Sequence, residues 1–124
     1  MVTEQAVRVP ASEVTLDGDL GLPETPRGLV CFAHGSGSSR HSPRNRFVAE
    51  MLRQAGLGTL LMDLLTEDEE LIDARTRELR FDIELLATRV VDAVDWLVRQ
   101  ADTAQLPLGL FGASTGAAAA LVAA

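Results

Sequence analysis

Lysine is absent from this sequence: all eleven basic residues are arginine. That excludes the Walker-A phosphate loop, the protein-kinase lysine and every Schiff-base mechanism, because each needs a lysine amine. Cysteine is nearly absent too. A single thiol, Cys31, rules out an internal disulfide and any multi-cysteine metal site. Two histidines, His34 and His41, are few for a metalloenzyme, and no H-E-x-x-H pair occurs. Positive charge is outweighed: 18 acidic residues leave a net charge of −7, which repels polyphosphate backbones and argues against nucleic-acid partners. No apolar run approaches the ~18–20 residues of a membrane span. The first eight residues have neither a basic n-region nor an apolar h-region, so no export signal is expected. These absences point to a cytoplasmic protein with no membrane partner.

What is present suits one domain. The chain has 124 residues, 47% of them apolar and 23% charged, enough for a packed core. Val14, Leu16, Leu20 and Leu22 alternate, with Gly18 in phase, which predicts one strand over Val14–Leu22. A turn at Pro10-Ala11-Ser12-Glu13 would pair it with a short strand around Ala6–Val9. The unbroken run Leu29–Ala33 reads as a strand buried on both faces. Ser42-Pro43 predicts an N-cap and first helical residue, Phe47, Val48, Met51, Leu52 and Ala55 an apolar face, and Gly56 the stop. A second buried strand is expected over Gly58–Leu65. The acidic run Glu67–Glu70 reads as a solvated loop. A long helix should start near Asp82, its apolar face including Leu86, Val90, Val91, Val94 and Leu97. Pro107 would open a third buried strand, Leu108–Phe111, and residues 117–124 would begin another helix. The alternation predicts an α/β fold: a mostly parallel, doubly wound αβα sandwich with an antiparallel strand pair at its start.

Two motifs carry chemistry. Gly112-Ala113-Ser114-Thr115-Gly116 is G-x-S-x-G between an apolar strand and a small-residue helical segment. Such a turn lifts a serine hydroxyl above the sheet, and the helix that follows aims its N-terminal dipole at a developing oxyanion. His34-Gly35-Ser36-Gly37 ends the first buried strand, at the rim where doubly wound sheets bind ligands. Gly35 and Gly37 would let the backbone approach a substrate carbonyl. The plainer readings are an ordinary βα turn at Ser114 and a glycine-serine loop at Ser36. His41 reads as a solvated loop residue and Cys31 as a small core hydrophobe. Arg40, Arg44 and Arg46 either attract an anionic acyl substrate or simply solvate the first helix.

Val30-Cys31-Phe32-Ala33-His34-Gly35-Ser36-Gly37 together with Gly112–Gly116 resembles the α/β-hydrolase superfamily. Ser36–Pro43 and Met62-Asp63-Leu64-Leu65-Thr66 resemble its dienelactone hydrolase-like branch. The resemblance implies that Ser114 is a nucleophile, that the backbone N–H groups of Thr115 and Ser36 form an oxyanion hole, and that His34 shapes the loop. It implies a serine hydrolase of esters or related acyl compounds, with a small-molecule substrate and no cofactor. Dienelactone hydrolases proper have cysteine where this chain has Ser114. The family's triad runs serine, acid, histidine along the chain, and the ten residues after Ser114 contain neither an acid nor a histidine. Residues 1–124 therefore read as the N-terminal part of a single hydrolase domain, expected to be inactive or nearly so alone. Asp63 precedes the serine and does not fit the triad order. The alternatives are a non-catalytic interaction module, self-associating through an uncovered edge beyond Leu108–Phe111, and a dinucleotide-binding fold. The last lacks the third glycine of G-x-G-x-x-G.

Overall fold

The computed structural model describes residues 3–11, 13–33, 40–79, 82–112 and 121–123. Five strands form one mixed sheet in the order β1-β2-β4-β3-β5. Strands β1 (Thr3–Ala11) and β2 (Val14–Leu22) pair antiparallel over their full length, from Thr3 opposite Leu22 to Ala11 opposite Val14. The second strand runs unbroken through Asp17-Gly18-Asp19, as its alternation predicts, and the first is longer than the Ala6–Val9 expected. Strand β3 (Leu29–Ala33) has the expected bounds and lies between β4 (Gly58–Met62) and β5 (Leu108–Gly112), parallel to both. Strand β4 also pairs antiparallel with β2.

Among the described residues, α1 (Pro43–Gln54) and α3 (Ile83–Arg99) pack on the sheet, and α2 (Glu67–Thr76) lies between β4 and α3 in the chain with Leu71 and Ile72 exposed. Leu86, Val90, Ala93 and Leu97 of α3 pack with Cys31, Ala33, Leu60 and Met62 on one face. Ala49 of α1, flanked by Val48 and Leu52, packs with Phe32 and Leu61 on the other. Helices on both faces of a largely parallel sheet give the expected three-layer αβα sandwich.

Several sequence expectations need correction. The face of α1 is rotated: Ala49 and Asn45 are buried, whereas Phe47 and Met51 are 63% and 55% exposed. Strand β4 stops at Met62, where β3 also ends, although Leu64 and Leu65 remain buried in the core. Val91 of α3 is exposed, and Arg89 takes a buried place on the same helix. Strand β5 is at the sheet edge, half-buried rather than buried, with open space where a side chain at Gly109 would lie. The acidic run is no loop but the first turn of α2. Thr66 Oγ1 accepts from the Glu69 N–H at 3.1 Å and Glu69 Oε1 accepts from the Thr66 N–H at 2.9 Å, a reciprocal capping box. The stop of α1 is as expected: Gly56 follows the C-cap with φ +92°, a left-handed conformation that favours glycine.

Candidate active site

Three parallel strands bring their carboxyl ends to one rim. Ala33, the last residue of β3, is the register partner of Met62 on one side and of Gly112 on the other. Gly112 is both the end of β5 and the first residue of the G-x-S-x-G motif. The strands leading into the two chemical motifs are thus immediate neighbours, in register, about 4.8 Å apart. Below their ends the rings of Phe32 and Phe111, register partners on β3 and β5, pack with centroids 5.0 Å apart. His34, Gly35, Ser36, Gly37, Ser114 and Thr115 themselves lie outside the described residues, as does most of the helix expected from residue 117, of which 121–123 are helical.

The described side chains at the rim form an ion cluster. Arg40 donates its backbone N–H to Asp63 Oδ1 at 2.7 Å, and its guanidinium Nη1 donates to Asp63 Oδ2. The Nε of Arg40 is 3.7 Å from Asp19 Oδ2, and Arg46 Nη2 donates to that same oxygen at 2.8 Å. Arg46 also donates to His41 Nδ1 at 3.2 Å. Arg40, for which the sequence leaves open attraction of an anionic substrate or solvation of the first helix, is held on Asp63 and beside Asp19, while Arg44 is exposed. His41 is exposed, as expected. Burial pushes the Cys31 thiol up to about 12, so it stays protonated and is no competing nucleophile. Among the described residues, no group of side chains could hold a metal ion.

Sequence reading missed a second polar cluster on the α3 side. Arg89, only 6% exposed, donates through Nη2 to Glu69 Oε2 at 2.7 Å and through Nη1 to Glu69 Oε1 and, at 2.9 Å, to the Leu64 carbonyl. Burial works to raise the Glu69 carboxyl, but the hydrogen bonds from Arg89 and Thr66 and the guanidinium charge hold it below the usual carboxylate range. The signal was present as Thr66-x-x-Glu69, a capping box that marks a helix start. Nothing local marks Arg89 as buried.

No protein-family model matches the sequence. A dienelactone hydrolase from Anabaena variabilis matches in structure with a TM-score of 0.97 at 63% identity, over 99% of this chain and 57% of its own. The dienelactone hydrolase-like promiscuous phosphotriesterase P91 from metagenomic libraries gives 0.77 at 16% identity, over 99% of this chain and 54% of its own. Est1E from Butyrivibrio proteoclasticus gives 0.75 at 19% identity, over 95% and 44%. These last two show the fold alone. Two Mycobacterium tuberculosis proteins, from strains CDC 1551 and H37Rv and both provisionally named phosphoribosyl transferases, are 61% identical over 98% of this chain. The chain spans 26% of the length of each. Among the described residues, no helix is long and apolar enough to cross a membrane. Its sheet order, its three-layer packing and 63% identity over nearly all its residues make this chain closely similar to the Anabaena dienelactone hydrolase over the 57% of that protein it spans.

Proposed function

We propose that the chain belongs to a serine hydrolase of carboxylic esters or related small acyl compounds, with Ser114 as nucleophile. The observation that carries this reading is the register of Ala33 with Gly112. The strands that lead into the Ser36 motif and the Ser114 motif thus end side by side at the same rim. In the proposed step, Ser114 Oγ adds to the substrate carbonyl and the backbone N–H groups of Thr115 and Ser36 stabilise the oxyanion. Collapse expels the alcohol and leaves an acyl-serine, which water hydrolyses to the acid. The serine proton passes to an imidazole and returns to the leaving group. No histidine or acid follows Ser114 in these residues, so the 124-residue chain by itself should be nearly inactive.

The name carried by the mycobacterial relatives favours transfer chemistry, but about three quarters of each lies outside the match. The matched residues are those that resemble the Anabaena dienelactone hydrolase, so we assign hydrolysis to them. The test is turnover of p-nitrophenyl acetate by the full product of the gene and by its Ser114→Ala variant. The variant should lose about four to six orders of magnitude in kcat. Unchanged turnover, or a wild type without any, would remove the hydrolase assignment. Separately, turnover at an ordinary enzyme rate by residues 1–124 alone would contradict the need for a downstream base.

A further inference from the structure

Strand β1 forms one edge of the described sheet, and its nine residues pair with β2 in one unbroken register. One contact fixes which of its backbone groups face outward. The Asp17 carbonyl of β2 accepts from the Asp63 N–H at 3.0 Å, on the β4 side. Asp17 therefore turns its backbone groups away from β1, and its register partner Arg8 turns its own away from β2. By alternation Glu4, Ala6 and Pro10 do the same, so the missing N–H of Pro10 costs the β1–β2 ladder nothing. Sheet edges are ordinarily blunted by lysine, proline or a bulge. Lysine is absent here and proline stands only near the end of the strand. Among the described residues, Glu4, Ala6 and Arg8 thus leave an open row of donors and acceptors.

The side chains along this edge are self-complementary. Val9 and Ala11 are buried in the α3-side core with Val7 packed against them, so Glu4, Ala6 and Arg8 lie on the α1 face. Glu4 Oε1 is 3.8 Å from Arg46 Nη1 of α1, and Arg8 Nε is 3.5 Å from Asp17 Oδ1. Both side chains have room for a second partner, at 47% and 72% exposure. We propose that two copies of this chain pair through β1, antiparallel about a twofold axis at Ala6, into one continuous sheet. In that register Ala6 faces the partner's Ala6, and Glu4 faces the partner's Arg8, twice by symmetry. Each of these pairs exchanges two backbone hydrogen bonds from the outward row. Charge then alternates in sign across the join, from Asp17 through Arg8 to the partner's Glu4 and the partner's Arg46. Pro10, which has no donor to give, falls past the partner's Thr3 and outside the pairing. Other registers are worse. An axis at Val7 sets Pro10 against the partner's Glu4 and loses a hydrogen bond, and one at Gln5 leaves Glu4 opposite the partner's Ala6. An axis at Glu4 or Arg8 sets like charges face to face. The join lies on the opposite edge from β5 and does not depend on the hydrolase reading.

The experiment is made on the full gene product, by sedimentation equilibrium and by cross-linking with a short bis-maleimide. Wild type should be a dimer at micromolar concentration. Arg8→Glu sets carboxylates against each other at both ends of the join and should raise the dimer dissociation constant about tenfold or more. Adding Glu4→Arg to that variant restores opposite charges and should return the constant close to the wild-type value. Ala6→Cys should cross-link across the axis, where the two thiols stand one strand spacing apart. Pro10→Cys should not, because its two copies would be about 27 Å apart along the strands. Wild type supplies the background, its Cys31 being buried with the thiol pushed up to about 12. A monomer at every concentration would overturn the proposal. So would a dimer indifferent to Arg8→Glu, a double exchange that fails to restore association, or cross-linking as efficient at residue 10 as at residue 6. Should Arg8→Glu fail to fold, the two cysteine variants still decide.

Discussion

Arg89 is the most heavily committed side chain outside the rim, and its neighbourhood shows how one residue joins three segments. Its guanidinium satisfies both oxygens of Glu69 at the start of α2 and the Leu64 carbonyl just after β4, while its backbone belongs to α3. Removing Arg89 leaves the half-buried Glu69 carboxylate and the buried Leu64 carbonyl without this donor. Arg89→Ala should therefore cost about 1–3 kcal/mol of unfolding free energy, read from urea denaturation. The pair also sets an acid response. With Glu69 held below its unfolded value of about 4.3, its charged form favours the folded state. That contribution is complete above the unfolded value and is lost as pH falls through the lower folded one. Wild type should exceed Glu69→Gln in stability at pH 7, with the gap closing progressively below about pH 4.3. A gap that is constant from pH 7 to pH 3 would show that the charge of Glu69 contributes nothing.

Among the elements, those whose signals are local are the ones sequence reading places correctly. Val14–Leu22 alternates, Leu29–Ala33 is continuously apolar, and Ser42-Pro43 caps α1; each has the expected bounds or start. The errors arise where tertiary context decides. The helical spacing of Phe47 and Met51 is real, but the sheet under α1 accepts Ala49, because Phe32 and Leu61 already fill that layer. Periodicity gives a stripe and not which edge of it meets the sheet. The edge position of β5 is likewise invisible in an apolar pentapeptide, since strand order is a property of the assembled sheet. Charge alone makes Glu67–Glu70 look like a loop, but acidic residues at a helix N-terminus complement its dipole, and here they form the first turn of α2. Thr66→Ala removes the cap and should destabilise the chain by about 1 kcal/mol. A thermal midpoint equal to that of wild type would show that α2 is held by Arg89 alone.

At the scale of the whole molecule, the described strands leave the sheet with two edges, β1 and β5. Strands β2, β4 and β3 are enclosed, whereas β1 and β5 each lack a strand on the far side among the described residues; the more apolar of these edges is β5. Apolar side chains stand exposed both there, at Phe111, and on α1, at Phe47 and Met51. An unpaired apolar edge is a template for another chain, and we expect residues 1–124 to self-associate; a sedimentation coefficient independent of concentration would exclude it. The candidate site was legible in the sequence as two motifs, and the sheet order makes the strands that carry them neighbours. What no motif announced is the Arg40–Asp63 pair, formed by residues 23 positions apart that only the parallel pairing of β3 and β4 brings together. The proposed role of Ser114 as nucleophile is checked by treating the full gene product with a fluorophosphonate and mapping the adduct by peptide mass spectrometry. One adduct per chain is expected, on Ser114, abolished by Ser114→Ala. An adduct at another residue, or none, would contradict it.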